Sequence, residues 1–297
     1  MSRLCFSPEG RFRLMQFTDF HIGSLPHHED DYKSFAMLDR AIQKLKPDLI
    51  VGTGDQIWSD GVKDLDIIYR ELLTRLTAHH IPIALVYGNH DAEGRLSRDE
   101  LRAIEAELPM GITKEESFIG SEGRENYILG LYDEKGEELL TRLYFLDSGQ
   151  DAPIPVGTYN WLQFEQVEWF RKCSKQAEGR GKRDLVFMHI PLPEYWQAAE
   201  HIEDGLCLET NEMISAPHLN TGFFAAARIS EQVAAIFAGH DHENNFRSTL
   251  EGVQLIYGQV SGYQCYGDLP RGVRVVDLFA DDRPMKTWTV TDAELQD

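Results

Sequence analysis

Side chains that could bind metal ions or transfer protons follow five short apolar runs of this sequence. The five segments are Asp19-Phe20-His21, Gly54-Asp55, Asn89-His90-Asp91, His189 and His240-Asp241-His242. Their carboxylates, imidazoles and one side-chain amide are ligand types that suit borderline divalent or ferric ions. The sequence therefore predicts a metal centre assembled from residues that lie far apart along the chain.

The position of each segment at the end of an apolar, β-rich run explains how such distant residues can meet. In an α/β sheet, the carboxyl ends of neighbouring strands lie along one edge, where ligands bind. Any one segment also has a structural explanation, since Asp55, for example, could cap the helix that follows it. The combination of five strand ends is what predicts a functional site.

Asp55 is the residue that we expect to bridge two metal ions. A carboxylate has two oxygens and can hold ions about 3.5–4 Å apart, and hydroxide between such ions is a nucleophile at neutral pH. Glycines beside Asp55, Asn89 and His240 let the backbone turn and bring the ligands close. The four cysteines include no C-x-x-C pair, so we expect buried or idle thiols rather than a structural zinc site.

Helical periodicity separates several of the β-rich runs. Apolar residues recur at helical spacing before Pro47 and before Pro82, and we expect each helix to end where proline prevents its continuation. Ser97 and Glu100 form a capping-box pattern that opens a third helix. A fourth helix is expected over 163–176, with three apolar side chains on its buried face: Phe164, Val167 and Phe170.

The alternation of strands and helices predicts an α/β fold. Runs at 254–257, 273–278 and 287–290 predict a second, more antiparallel set of strands, and hence two packed mixed sheets flanked by helices. No repeat, low-complexity tract or long Pro/Gly/Ser-rich linker divides the chain. We therefore expect a single domain over residues 1–297.

Charge and hydropathy restrict the partners of the protein. The formal net charge of −20 repels phosphate backbones and argues against nucleic-acid binding unless metal ions reverse the sign locally. No stretch approaches the roughly 18 apolar residues of a membrane span, and the N-terminus has no apolar run typical of a signal peptide. We expect a cytoplasmic protein without a membrane partner; the sequence predicts no oligomeric state.

The five segments, in this order, resemble the signature blocks of calcineurin-like metallophosphoesterases, and the resemblance extends from about residue 11 to about residue 278. It implies a four-layer αββα sandwich with the active site at the carboxyl ends of strands. It also implies two ions, of manganese, iron or zinc. The implied ligands are Asp19, His21, Asp55 and His242 for the first ion, and Asp55, Asn89, His189 and His240 for the second.

The resemblance gives His90 a catalytic role rather than a ligand role. It implies that His90 stands over the metals, stabilising the transition state or protonating the leaving oxygen, while Asp91 orients its imidazole. Reaction chemistry agrees, because negative charge develops on the leaving group and a positioned imidazolium can neutralise it, for a gain of roughly 10²–10⁴ in rate. We expect Asp241 to support the ligands rather than bind metal.

A finer resemblance is carried by 189–195, 220–224 and 239–246, which are similar to the branch containing the fungal cell-cycle phosphatase and plant proteins named among purple acid phosphatases. True purple enzymes place a metal-binding tyrosine three residues after the bridging aspartate. This chain has Trp58 there, which has no oxygen to donate. We therefore expect no tyrosinate-to-iron charge-transfer colour.

Three functions remain open at this point. The first is hydrolysis of phosphate monoesters, from a phosphorylated small molecule or a phosphoprotein, by attack of a metal-bridging hydroxide with His90 as the acid. The second is a phosphodiesterase for cyclic nucleotides or other diesters, and the third is a non-catalytic metal-binding scaffold. Four aromatic residues could line the substrate cleft or pack beneath loops: Tyr195, Trp196, Tyr263 and Tyr266.

Overall fold

The fold was obtained as a computed structural model, which describes residues 3–152, 155–176, 183–208 and 214–296. The segments 153–154, 177–182 and 209–213, which separate these ranges, lie outside the described residues. The helices are α1 Glu29–Leu45, α2 Leu65–Thr77, α3 Arg98–Ala106, α4 Phe164–Lys175, α5 Glu194–Ala198, α6 Phe223–Ile229 and α7 Asp292–Gln296. The strands are β1 Leu4–Cys5, β2 Arg11–Phe17, β3 Leu49–Thr53, β4 Ile83–Val86, β5 Glu116–Ile119, β6 Glu125–Tyr132, β7 Leu139–Leu146, β8 Asp184–Phe187, β9 Val233–Ala238, β10 Arg247–Leu250, β11 Val253–Tyr257, β12 Gly272–Phe279 and β13 Lys286–Thr291.

The strands form two mixed sheets. The large sheet has the order β1-β6-β7-β8-β9-β11-β10, and β5 pairs with a different part of β6 than β1 does. Its central strands β7, β8, β9 and β11 are parallel to one another. The small sheet has the order β13-β12-β2-β3-β4, in which β2, β3 and β4 are parallel and β12 runs antiparallel to both of its neighbours.

Alternation of apolar side chains along the strands produces four layers. In β2, Leu14 faces the large sheet, whereas Met15 packs with α1, α2 and α3. In β8, Phe187 faces the small sheet, whereas Val186 packs with α4, α5 and α6. Because a strand points successive side chains to opposite faces, each sheet carries two apolar surfaces and must be covered on both. The result is the αββα order that the resemblance implies.

A row of stacked aromatic rings fills the space between the two sheets. Tyr127, Phe145, Phe187 and Phe237 lie on the neighbouring strands β6, β7, β8 and β9, with successive ring centroids 4.7, 5.1 and 5.0 Å apart. Rings at these distances gain stacking energy beyond the apolar area that they bury. The row is thus a continuous part of the core between the two sheets.

The helix predictions are confirmed in position and differ in detail. α1 ends at Leu45, followed by Lys46 in the left-handed conformation, and Ser97 caps α3 with the expected capping box. α2 ends at Thr77, ahead of Pro82, so a turn rather than the proline terminates it. Among the described residues, no helix has the length and apolar character needed to cross a bilayer.

One residue of the predicted apolar face of α4 is exposed. Phe164 has 74% of its surface exposed, whereas Val167 and Phe170 are buried. At 3.6 residues per turn, Phe164 and Phe170 lie about 120° apart around the helix axis, so a face centred on Phe170 excludes Phe164. The expected burial of Phe164 is therefore wrong.

The late strands do not form a separate antiparallel set. β11 joins the large sheet parallel to β9, while β12 and β13 extend the small sheet beyond β2. Strand pairing joins segments that are distant in sequence, so local periodicity predicts a strand without predicting its neighbours. The prediction of two sheets is confirmed, and the allocation of these strands to them is corrected.

Replacing Phe187 by alanine is expected to destabilise the protein by about 3–5 kcal/mol, because the ring has neighbours on both sides of the aromatic row and its removal leaves a cavity. Urea unfolding followed by fluorescence measures the change. Phe164→Ala is the matched control, and its exposed ring predicts a change within about 0.5 kcal/mol. Equal unfolding midpoints for the two variants would contradict the expected packing.

Candidate metal centre

The five sequence segments converge where the two sheets meet. Segments after β2, β3 and β4 come from the small sheet, and segments after β8 and β9 come from the large sheet. All seven predicted ligands are buried, and they are listed here in chain order: Asp19, His21, Asp55, Asn89, His189, His240 and His242. Both sheets therefore contribute side chains to a single site.

The first cluster of donor atoms combines two carboxylates and two imidazoles. His21 Nε2 lies 3.2 Å from His242 Nε2 and 3.6 Å from Asp55 Oδ2. His242 Nε2 lies 3.5 Å from Asp19 Oδ1. The ligand-type atoms of Asp19, His21 and Asp55 lie within 4.8 Å of one another. These four side chains are close enough to share one ion.

The second cluster is built around His189. Its Nε2 lies 3.1 Å from Asp55 Oδ2, 3.0 Å from Asn89 Oδ1 and 3.3 Å from His240 Nδ1. On the opposite side of the ring, Nδ1 hydrogen bonds to the carbonyl oxygen of Thr53 at 2.8 Å. A histidine anchored through one ring nitrogen presents the other in a fixed direction. Asp55 Oδ2 belongs to both clusters.

The donor atoms fit metal ions. Imidazole nitrogens face each other at 3.2 and 3.3 Å in the two clusters, where at most one proton can lie between them. The second ring nitrogens of three of these histidines, His21 Nδ1, His240 Nε2 and His242 Nδ1, are also buried without a hydrogen-bond partner, as is His27 Nδ1 elsewhere among the described residues. It is the facing nitrogens of the two clusters that fit metal ions, because lone pairs directed at each other repel unless a proton or a cation lies between them.

The ionisation states of the buried side chains favour a bound cation. Burial lowers the pKa of His21 to about 4 and that of His240 to about 3, which leaves both imidazoles neutral and able to donate a lone pair. Burial opposes ionisation of Asp55, but the neighbouring imidazoles hold its pKa well below the usual range. Burial also opposes protonation of His189, yet Asp55 raises that pKa to about 9. A metal ion would displace this proton.

Several of these residues have a backbone conformation that side chains rarely adopt. Positive φ angles occur at four of them: Asp19 (54°), His21 (49°), Asp55 (52°) and His240 (78°). Each such residue costs roughly 1–3 kcal/mol and persists only where neighbouring contacts fix it. Asp55 provides two of these contacts, because its carbonyl oxygen accepts hydrogen bonds from Phe20 and His21 at 2.8 and 3.0 Å.

Two glycines are required by close approach at the site. Gly54 has φ 96°, and a Cβ there would contact the ring of His189. A Cβ at Gly88 would contact Asp55 Oδ1. Larger residues at either position would push apart the donor atoms that the two clusters share.

His90 stands beside the clusters with a different set of contacts. Its ring stacks on Trp58 with centroids 4.4 Å apart, and its Nδ1 lies 2.7 Å from Glu93 Oε1. Its backbone N–H donates to Asp55 Oδ1 at 2.8 Å. Burial acts to lower the pKa of His90, but the bond to Glu93 and the charge of Asp55 outweigh it and raise the pKa. His90 is therefore suited to hold a proton.

Asp91 does not have the position expected of a residue that orients His90. Its carboxylate accepts hydrogen bonds from the backbone N–H groups of Gly88, Asp55 and Ile57 at 2.7, 2.9 and 3.0 Å. Adjacent side chains in this loop point apart, so Asp91 joins the loops after β3 and β4 while Glu93 reaches His90. Sequence reasoning missed Glu93, although a second carboxylate three residues after His90 was visible. The expected role of Asp91 is corrected.

The other polar and aromatic candidates occupy varied positions. Asp241 accepts hydrogen bonds from Tyr257 and from the backbone of Ser215, which agrees with a supporting role. Tyr195 is buried and donates to the carbonyl oxygen of Ile236, and Tyr263 donates to Asp292. Trp196 is 42% exposed and does not line the cleft described next. Asp241, Tyr195 and Tyr263 therefore make hydrogen bonds within the fold, and Trp196 lies outside the cleft.

A cleft of about 390 Å³ opens onto the clusters. Its walls include His21, Asp55, His90, His240 and His242 from the site. Tyr266 lines the cleft, which is one of the two positions the sequence left open for it, and Trp58 lines it as well. The sequence did not predict four further lining residues: Ser24, Tyr159, Gln264 and Cys265. Cys265 Sγ lies within 4.8 Å of ligand-type atoms of His21 and His242. Its thiol is thus nearer the site than expected, and no local pattern around it announces this.

Replacing Asp91 by alanine is expected to lower the free energy of unfolding by about 2–4 kcal/mol in the presence of a chelator, because three buried backbone N–H groups lose their acceptor. Denaturant unfolding measures the loss. Exposed Asp60 supplies the control, and Asp60→Ala should change stability by less than about 0.5 kcal/mol. An unaltered midpoint for Asp91→Ala would rule out the described role.

Proteins named as phosphatases are similar to this chain in sequence or in fold. The chain is 31% identical, over 96% of its own length and 81% of the relative's, to an Arabidopsis thaliana protein named "Probable inactive purple acid phosphatase 29". It is 29% identical, over 96% of its length and 54% of the relative's, to phosphatase DCR2 of Saccharomyces cerevisiae. A dimetal phosphatase structure from Danio rerio shares the fold, with a TM-score of 0.67, 15% identity and coverage of 95% and 96% of the two chains.

The family model described as "Calcineurin-like phosphoesterase" matches residues 12–244, which include all five segments of the site and most of both sheets. This family binds metal ions at a dinuclear centre and hydrolyses phosphate esters. The chain belongs to the calcineurin-like phosphoesterase family and is a metal-dependent phosphoesterase.

Proposed function

We propose that this phosphoesterase hydrolyses phosphate monoesters, from a small molecule or a phosphoprotein, at a centre bridged by Asp55. The observation that carries the proposal is the sharing of Asp55 Oδ2 by two donor clusters that lie beside His90. The proposed ligands are Asp19, His21, Asp55 and His242 for one ion, and Asp55, Asn89, His189 and His240 for the other. When bound, the two ions would neutralise phosphate oxygens and lower the pKa of a water molecule.

His90 is the proposed proton donor to the leaving oxygen. With Nδ1 bonded to Glu93, Nε2 is the ring nitrogen that remains for the substrate. Stacking on Trp58 restricts rotation of the ring, and the raised pKa keeps the imidazole protonated more readily than an exposed histidine. In this proposal Glu93, rather than Asp91, positions the acid.

Monoesters are the proposed substrates on the basis of the relatives. The printed names of the plant and yeast relatives are those of phosphatases, and the chain aligns with both over 96% of its length. Diesters remain the alternative, since the same two ions serve both reactions. Turnover of phenyl phosphate compared with bis(p-nitrophenyl) phosphate discriminates between the two substrate classes.

A non-catalytic scaffold is the competing proposal, because the plant relative's printed name calls that protein probably inactive. This chain retains all seven proposed ligands. It also holds His90 between Glu93 and Trp58 at the edge of an open cleft, an arrangement that metal binding alone does not require. These features favour catalysis.

The nature of the ions is proposed from the donor set. Carboxylate, imidazole and amide donors accept manganese, iron or zinc according to supply. Trp58 offers no oxygen, so iron-loaded protein is expected to lack a tyrosinate charge-transfer band. A cytoplasmic location and a single-domain organisation over 1–297 stay predictions.

Two manganese ions per chain are expected to bind to chelator-treated protein in isothermal titration calorimetry. Asp55→Ala should abolish the two-ion stoichiometry, because one carboxylate oxygen belongs to both clusters. Asp60→Ala is the control and should bind two ions. A variant lacking Asp55 that still binds two ions with unaltered affinity would contradict the bridging role.

His90→Ala is expected to lower kcat for phenyl phosphate by roughly 10²–10⁴ while two ions still bind, because His90 supplies a proton and is not a proposed ligand. Steady-state kinetics with manganese-loaded protein measure the change. If wild type hydrolysed no phosphate ester and His90→Ala changed nothing, the scaffold proposal would replace this one.

Glu93→Gln is expected to lower kcat for phenyl phosphate by about tenfold or more, and to affect 2,4-dinitrophenyl phosphate much less, because a good leaving group departs without a proton. Glu134→Gln, at an exposed turn, is the control and should leave both rates unchanged. An equal loss for the two substrates would show that Glu93 supports the fold rather than the acid.

A further inference from the structure

Three aromatic rings pack directly on the histidines of the centre. Trp58 stacks on His90 at 4.4 Å, and Tyr266 stacks on His242 with centroids 4.2 Å apart and planes 30° apart. Tyr159 meets His240 edge to face at 4.3 Å. The three rings come from separate segments, after β3, before α4 and between β11 and β12. The cleft therefore has aromatic walls on several sides.

Two of these rings are unusually accessible for their size. Trp58 is 41% exposed and Tyr266 is 61% exposed, although both line the cleft. Each packs against a histidine of the centre, and a large part of its surface is exposed. Large apolar rings exposed within a concave site are surfaces suited to a ligand.

The cleft offers no positive side chain for the organic part of a substrate. Among the lining residues that the structure describes, none is lysine or arginine. Outside the donor clusters, those residues are neutral except for His90, which is the proposed acid at the ester oxygen. Ser24 and Gln264 supply the polar contacts of the wall. The net charge of −20 adds a repulsive background for anions. A second phosphate or a carboxylate near the ester would have no partner here.

We propose that the cleft selects phosphate esters whose leaving group is an aromatic ring without further negative charge, and that Trp58 and Tyr266 contact this ring. The proposal rests on the proposed function, because it names the substrate class of the same site. A phosphorylated tyrosine side chain and a small aryl phosphate share the required chemistry. A serine phosphate or a nucleoside polyphosphate does not.

A saturated analogue separates ring stacking from simple apolar burial. Benzylphosphonate and cyclohexylmethylphosphonate have similar size and the same phosphorus group, but only the first has a flat π-face. Aromatic pairs gain affinity beyond the area that they bury, which predicts a preference of about tenfold for the benzyl compound when two rings take part. Neither compound is hydrolysed, so binding is measured without turnover.

The test is isothermal titration calorimetry of the two phosphonates with manganese-loaded protein. Wild type is expected to bind benzylphosphonate about tenfold more tightly, and Trp58→Leu and Tyr266→Leu should each reduce this ratio to about threefold or less. Trp58→Phe and Tyr266→Phe retain a ring and should preserve most of the preference. Trp196→Leu is the control for an exposed aromatic outside the cleft, and it should leave the ratio unchanged.

Two further ligands extend the test to charge and to the source of the ring. A carboxylate at the para position of benzylphosphonate should weaken binding by about tenfold, because the described lining residues include no lysine or arginine to pair with it. A peptide carrying phosphotyrosine should compete with benzylphosphonate more strongly than the same peptide carrying phosphoserine. Equal competition by the two peptides would limit the aromatic preference to small molecules and overturn the tyrosine part of the proposal.

Equal affinities of wild type for the two phosphonates, or a ratio that neither leucine variant changes, would overturn the proposal. The outcome is distinguishable from failure of the proposed function. Hydrolysis of phenyl phosphate with a ratio of one would leave the phosphatase and remove the aromatic selection. A tenfold ratio in a protein that hydrolyses no ester would retain the selection and remove the activity.

Discussion

The buried carboxylate of Asp55 is the constraint on which the centre depends. An ionised carboxylate without water is costly unless opposite charge lies close to it, and the imidazole of His189 lies 3.1 Å away. The second oxygen of Asp55 fixes the backbone of His90, and its carbonyl oxygen fixes the turn at His21. One residue thus places donor atoms, the backbone of His90 and the loop after β2. The other donor side chains are arranged around this buried charge.

Packing between the two sheets offsets the conformational cost of the strained residues at the site. The row of stacked rings that includes Phe145 and Phe187 lies between the sheets. Asp19 and Asp55, whose backbones have the left-handed conformation, lie at the edge where the two sheets meet. Strain of this kind survives only on a rigid support. The packed core between the sheets therefore supports the strained backbone at the carboxyl ends of the strands, where the donor side chains lie.

The convergence of the five segments could be predicted from the sequence for two reasons. Each segment contains residue types that bind metals, and the carboxyl ends of neighbouring strands in an α/β sheet lie along one edge. The four longest helices, α1 to α4, and most strands followed from periodicity, whereas the short helices α5, α6 and α7 were not predicted. Two further kinds of feature did not follow from periodicity. The sheet that β11 joins depends on pairing between distant segments, and the choice of Glu93 over Asp91 as the partner of His90 depends on side-chain direction. The positions of Cys265 and Tyr266 in the cleft depend on the path of the loop between β11 and β12, which no sequence pattern predicts.

The proposed ligands come from both sheets, so metal binding would affect the stability of the fold. Asp19, Asp55 and Asn89 extend from the small sheet, while His189 and His240 extend from the large one, so an ion bound by these proposed ligands would link the two sheets. Anything that binds the folded state alone stabilises it by mass action. Metal supply would then govern how long the chain resists heat and proteases, quite apart from how fast it turns over substrate.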